Sequence, residues 1–141
     1  MKAFSIIGIL LTMSVLAACS KGGGTQDTDQ HIIDNNDVVP PVIEITTPTA
    51  GQVFNNGHSI NITGKITDVG GLYRGSIRIT NDANGSQVKE QLYEIHGFQL
   101  FNFNLSHTVA VTTGSDYTVT VQFEDHGNNM TTASVKVKAN P

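Results

Sequence analysis

The sequence predicts an all-β domain built from packed antiparallel sheets, and three observations carry that expectation. From Pro40 onward, apolar and polar residues alternate in short runs, which is the period-two pattern of half-buried strands. Thr, Val and Ile dominate those runs, and their β-branched side chains favour extended backbone. Clusters of Gly, Asn, Asp and Pro stand between the runs and turn the chain. No segment shows a convincing helical period.

Taken in order, residues 42–47 put Ile43 and Ile45 on one face, and Pro48-Thr49-Ala50-Gly51 turns the chain. Residues 59–66 place Ile60, Ile62 and Ile66 inward, with Asn61, Thr63 and Lys65 outward. Asp68-Val69-Gly70-Gly71 is a loop. Residues 74–80 point Ile77 and Ile79 in and Arg78 out. The stretch 81–85 makes a hairpin connection, because Asn84-Gly85 readily takes positive φ. Residues 88–95 form a weaker strand. Residues 98–105 change parity between Leu100 and Phe101, which predicts a bulge or two short strands. Residues 117–123 alternate most cleanly, 125–129 turn, and 133–138 close the fold.

About seven short strands over about 100 residues describe a single immunoglobulin-like antiparallel β-sandwich. The tryptophan and disulfide of antibody domains are missing, so the core must rest on aliphatic packing. Tyr117 opens the penultimate strand, where a tyrosine corner would sit.

The first residues read as a targeting segment. Met1-Lys2 supplies a positive start, and residues 3–15 are almost wholly apolar but shorter than the roughly 20 residues a spanning helix needs. Leu16-Ala17-Ala18-Cys19 then closes the segment with small residues. These four residues resemble the lipobox of bacterial lipoproteins. The resemblance implies cleavage before Cys19, a diacylglyceryl group on its sulfur and a third acyl chain on its new amino group. The membrane thereby becomes a partner, held at about 0.8 kcal/mol per buried CH2. Cys19 is the only cysteine, so lipidation accounts for the lone thiol and no disulfide can form within the chain. Residues 1–18 therefore read as a lipoprotein signal peptide, 19–39 as a lipidated, disordered tether rich in Gly and Asp, and 40–141 as the sandwich domain. Ser20 resembles the sorting choice of outer-membrane lipoproteins in Gram-negative bacteria. That implies the outer membrane, with the periplasmic or surface face open.

Within the domain, Pro40-Pro41-Val42-Ile43-Glu44-Ile45-Thr46-Thr47-Pro48, Ile66-Thr67-Asp68 with Gly71-Leu72, and residues 117–121 with Asp125-x-Gly127-Asn128 are similar to bacterial Ig-like domains. They look closest to Ig-like domains on envelope lipoproteins of Gram-negative bacteria, some assigned to adhesion. The similarity spans residues 40–139. It implies a non-catalytic binding or adhesion module for an envelope protein or a glycan. The alternative is a structural or accessory subunit of an envelope complex, with calcium as a stabilising ion.

The chemistry-bearing residues fit that reading. No Gly-x-Ser-x-Gly elbow, His-Glu-x-x-His pair or Gly-rich phosphate loop is present, so the expectation is that the protein is not an enzyme. Twelve acidic against eight basic residues, with no basic stripe, exclude a nucleic-acid partner. His58, His96, His107 and His126 lie in separate segments without ligand-pair spacing, although folding could gather them.

Calcium is the cation the sequence favours, and no other cofactor is expected. An Ig-like topology brings the loops holding Asp68 and Asp125 to one pole, together with Asn128, Glu44 and the end of the acidic tether. The competing reading is that such Asp and Asn residues bond to their own turn backbone. Tyr93, Phe98, Phe101 and Phe103 serve either as core or as an exposed binding face, and the ligand stays unknown. Cys19→Ala is expected to abolish incorporation of labelled fatty acid and to free the protein from membranes; retained label would contradict lipidation at this residue.

Overall fold

The computed structural model describes residues 31–141, so the expected signal peptide, Cys19 and residues 19–30 of the expected tether lie outside the described residues. Eight strands form: β1 (Val42–Thr47), β2 (Val53–Asn55), β3 (Ser59–Thr67), β4 (Leu72–Asn81), β5 (Gln87–Glu94), β6 (Leu100–Thr108), β7 (Ser115–Asp125) and β8 (Met130–Asn140). One sheet runs β1-β3-β6 and the other β2-β8-β7-β4-β5. This is the immunoglobulin-like sandwich that the alternation predicts. The strand beyond the expected seven is β2. It follows the turn after β1, by which the chain passes to the other sheet, and it lies parallel to β8. Every other pairing is antiparallel.

The inward phase of each strand builds the core. Ile60, Ile62 and Ile66 from β3 and Phe103 and Leu105 from β6 face Ile77, Ile79, Val119, Val121, Phe123 and Val137 from the second sheet, and all are buried. Each such side chain contributes roughly 1.5–3 kcal/mol relative to exposure. The outward phase of the same strands carries Asn61, Lys65, Asn102 and Lys136.

Two local readings change. β6 pairs with β3 over nine residues without a register shift, so there is neither a bulge nor a break. The parity change arises because Leu100 faces solvent, 50% exposed, while Phe101, Phe103 and Leu105 keep the inward phase. Phe103 is buried, and Tyr93 and Phe101 pack around Phe123 at 5.5–6.4 Å between ring centres. Most of the aromatic segment thus serves the core, with Phe98 the exposed member. Tyr117 is buried, and its hydroxyl accepts a hydrogen bond from the Asn81 side chain at 3.2 Å. That bond ties the end of β4 to the start of β7.

The domain also begins earlier than Pro40. Residues 31–39, expected in the disordered tether, lie against one pole of the sandwich as a strap. The Ile32 amide donates to the Gly97 carbonyl and the Asp34 amide to the Gly70 carbonyl, both at 2.9 Å. The half-buried Ile32 side chain and these paired amides offset the ordering cost that the polar composition alone would leave uncompensated.

Ile77→Ala, in the centre of β4, is expected to lower the unfolding free energy by about 2–5 kcal/mol in chemical denaturation. A loss well under that range would contradict its place in the core.

Candidate functional site

Three loops meet at the strapped pole: 68–71 between β3 and β4, 95–99 between β5 and β6, and 126–129 between β7 and β8. Two aspartates reach its interior by strand phase. In β3 the inward positions are 60, 62, 64 and 66, and the next position in that phase is Asp68. In β7 they are 117, 119, 121 and 123, and the next is Asp125. Asp68 is accordingly 6% exposed and Asp125 fully buried. The strap adds the half-buried Asp37. One carboxylate oxygen from each of Asp37, Asp68 and Asp125 lies within 4.8 Å of the other two.

The three carboxylates are not equally satisfied. Asp125 accepts from the Asn129 amide through Oδ1 at 2.9 Å and from the Asn129 side chain through Oδ2 at 2.8 Å. The same Asn129 side chain donates to the Asp37 carbonyl at 2.8 Å, which joins β7, the loop and the strap. Asp37 Oδ1 accepts from the Val39 amide at 2.8 Å. The backbone amides of Gly70 and Gly71 lie close enough to Asp68 to favour its charged form. Its Oδ1 is buried and has no partner among the described residues. Burial pushes the Asp68 carboxyl above the usual carboxylate range, and the charges of Asp125 and Asp37 push it further, against the pull of the Gly70 and Gly71 backbone amides.

Beside the acids stands a ring cluster that joins the strap to the loops. His31 stacks on His96 at 5.6 Å, and His96 lies 4.6 Å from His126. Tyr73 from β4 meets His96 at 5.3 Å and His126 at 4.8 Å. His126 Nε2 is buried without a partner among the described residues. Burial holds the His126 imidazole below its ordinary pKa, and His96 and His31 add to this, while Asp125 opposes it. Folding therefore gathers three histidines that sequence spacing keeps apart. His58 and His107 lie in other segments.

Of the residues expected at a calcium pole, Asp68 and Asp125 come together. Glu44 does not join them. It sits opposite in phase to Ile43 and Ile45, points to solvent and pairs with Lys65 at 3.1 Å. Asn128 is exposed at a positive φ of 65° in the turn, and its neighbour Asn129 holds the acids instead. Sequence reasoning brings the end of the acidic tether to this pole without naming Asp37, and it does not single out Asn129. The signal for the buried acids was present, since both continue an inward phase.

Four glycines, Gly70, Gly71, Gly97 and Gly127, face the strap, and two of them meet its backbone. A Cβ at Gly71, which also has φ of +96°, would run into the Ile32 carbonyl. One at Gly127 would run into the Asp37 carbonyl.

No family model and no curated protein matches this chain. Among solved structures it is similar to the fibronectin(III)-like modules of Clostridium thermocellum CbhA, at 19% identity over 73% of this chain and a TM-score of 0.45. This chain spans about half, 48%, of that protein's length. It is also similar to the CARDB domain of a Pyrococcus furiosus protein in complex with di-metal ions, at 16% identity over 72% of this chain and 96% of that one, TM-score 0.41. Murine CRIg is similar at 10% identity over 71% and 96% of the two chains, TM-score 0.42.

Gly127→Ala is expected to cost about 1–3 kcal/mol by overpacking and to speed proteolysis within residues 31–39. Unchanged proteolysis would contradict the strap. A second expectation concerns pH. A depressed native His126 pKa means that the unfolded chain takes the proton more readily. Stability is then held above the ordinary value of 6.5 and lost as pH falls below it. His126→Gln should reduce the acid-side loss of melting temperature; an unchanged profile would rule out this group as its source.

Proposed function

We propose that this protein is a non-catalytic, lipid-anchored binding module of the bacterial cell envelope. It is held through Cys19 to the outer membrane and offers one end of its sandwich to an envelope protein or a glycan. The observation that carries the proposal is the direction of the strap. Residues 31–39 lead from the lipid side and dock at the pole formed by loops 68–71, 95–99 and 126–129. The covalent reach from Cys19 to His31 is at most about 40 Å, so that pole stays near the lipid. The opposite pole, with segments 48–58, 81–86 and 109–114, then faces outward.

That outer pole has groups suited to recognition. A shallow polar recess there, lined by Asp82, Ser115, Asp116, Lys138 and Asn140, supplies carboxylates, an ammonium and an amide. Sugar hydroxyls and polar peptide groups take such partners. The recess is fixed from beneath. Ser115 donates to the Asn81 side chain at 2.9 Å, and Asp82 pairs with Lys136 at 2.9 Å and accepts from Thr118 at 2.7 Å. These bonds hold the loop ends, and fixed ends lower the ordering cost of binding.

A specific observation favours the accessory-subunit reading as the second choice. On the outer face of the larger sheet, Leu92 is 67% exposed and Met130 56% exposed, and they flank a groove floored by Ser76 and Gln122. The groove runs beside β5, an edge strand whose outward backbone groups are open to pairing with another chain.

A glycan array and a crosslinked pull-down from envelope extract test the proposal. Binding to a sugar class or protein that Asp116→Ala weakens about tenfold, equivalent to roughly 1.4 kcal/mol, supports the outer pole. One stoichiometric partner lost only on Leu92→Asp supports the accessory role and contradicts it.

A further inference from the structure

We infer that the strapped pole is a calcium site in which Asp37, Asp68 and Asp125 supply carboxylate ligands, and that the ion fastens the strap to the sandwich. This inference stands apart from whatever the outer pole binds. Its first support is geometric. Three carboxylate oxygens no more than 4.8 Å apart need close by only a few tenths of an ångström for all to stand at calcium's bonding distance of about 2.3–2.6 Å.

The second support is the orphaned oxygen. Asn129 satisfies Asp125, and the Val39 amide satisfies one oxygen of Asp37. Asp68 is 94% buried, its Oδ1 lacks any partner among the described residues, and its carboxylate faces the other two. A buried, unpaired carboxylate oxygen is costly unless a cation or a proton meets it. Among the described residues no lysine or arginine does so, because the ion pairs join Lys65 to Glu44, Arg74 to Glu124 and Lys136 to Asp82.

The ligand chemistry selects the ion. Carboxylate oxygens suit a hard cation, and the loops that hold them are irregular, as calcium's flexible coordination accepts. Magnesium demands a near-ideal octahedron at shorter distances of about 2.0–2.1 Å. The adjacent histidines offer nitrogen, which suits transition metals. Yet no three of the described His, Cys, Asp and Glu side chains other than the aspartates bring ligand atoms this close together.

Two of the ligands extend strands of the sandwich, and the third lies on the strap. The ion would therefore bridge the anchor-side segment to both sheets. The competing explanation is a proton held on Asp68, and Asp68→Asn mimics that neutral state. The test uses purified full-length protein in detergent, stripped with EDTA and melted by circular dichroism. Millimolar calcium is expected to raise Tm by about 5–10 °C and to bind one ion per chain. Calcium should also slow cleavage within residues 31–39 by a nonspecific protease. Asp68→Asn should melt no lower than wild type without calcium and lose the calcium shift. Asp37→Asn, on the half-exposed strap, should weaken calcium binding at least about tenfold without threatening the fold, a loss of roughly 1.4 kcal/mol. A wild-type Tm indifferent to calcium would overturn the inference. So would a shift that survives in both variants, an equal shift with magnesium, or a response to zinc alone.

Discussion

In β3 and β7 every second side chain enters the core, and that phase runs past the last hydrophobic residue to an aspartate. Ile60, Ile62 and Ile66 hold the first strand in register, and Val119, Val121 and Phe123 hold the second. A slip of one residue would turn each hydrophobic set to solvent, so the register is strongly specified. With it fixed, Asp68 and Asp125 have no outward option. They are driven under the pole by the burial of aliphatic side chains that have nothing else to do with the site.

The strap follows from that constraint. Two buried carboxylates at a pole need partners, and the chain supplies Asp125 with the Asn129 amide and side chain. The same Asn129 side chain and the loop carbonyls of Gly70 and Gly97 hold residues 31–39 in place. The segment that precedes the sandwich is thus stitched to the part of it richest in buried charge. The two poles of the sandwich differ: one receives the strap and carries acids and histidines, and the other is built of hydrogen-bonded turns.

Much of this was legible in the residues. Alternation placed all the long strands, and the lack of Trp and disulfide pointed to aliphatic packing, to which Phe54, Phe103, Tyr117 and Phe123 add an aromatic share of the core. The misses have physical reasons. Leu100 looked like a change of phase because an exposed leucine carries no mark of its exposure. Three-residue β2 is too short for a periodic signal. Topology brings Glu44 towards the pole, but its phase opposite Ile43 and Ile45 points it to solvent. The neighbouring glycines mark Asp68 and Asp125 as loop residues at one pole, and only counting the inward phase past Ile66 and Phe123 shows that both are buried. The docking of residues 31–39 was hidden because a polar, Asp-rich stretch has the composition of a tether. Its order comes from backbone hydrogen bonds to loops distant in sequence.

The docked strap joins the N-terminal segment to the acid pole, and backbone amide exchange reads it most directly. The Ile32 and Asp34 amides, which donate to Gly97 and Gly70, should exchange far more slowly than unstructured amides, within reach of the loop amides of Asp68 and Leu72. Exchange of both at the rate of an unstructured chain, while Asp68 and Leu72 stay protected, would contradict the docked pole.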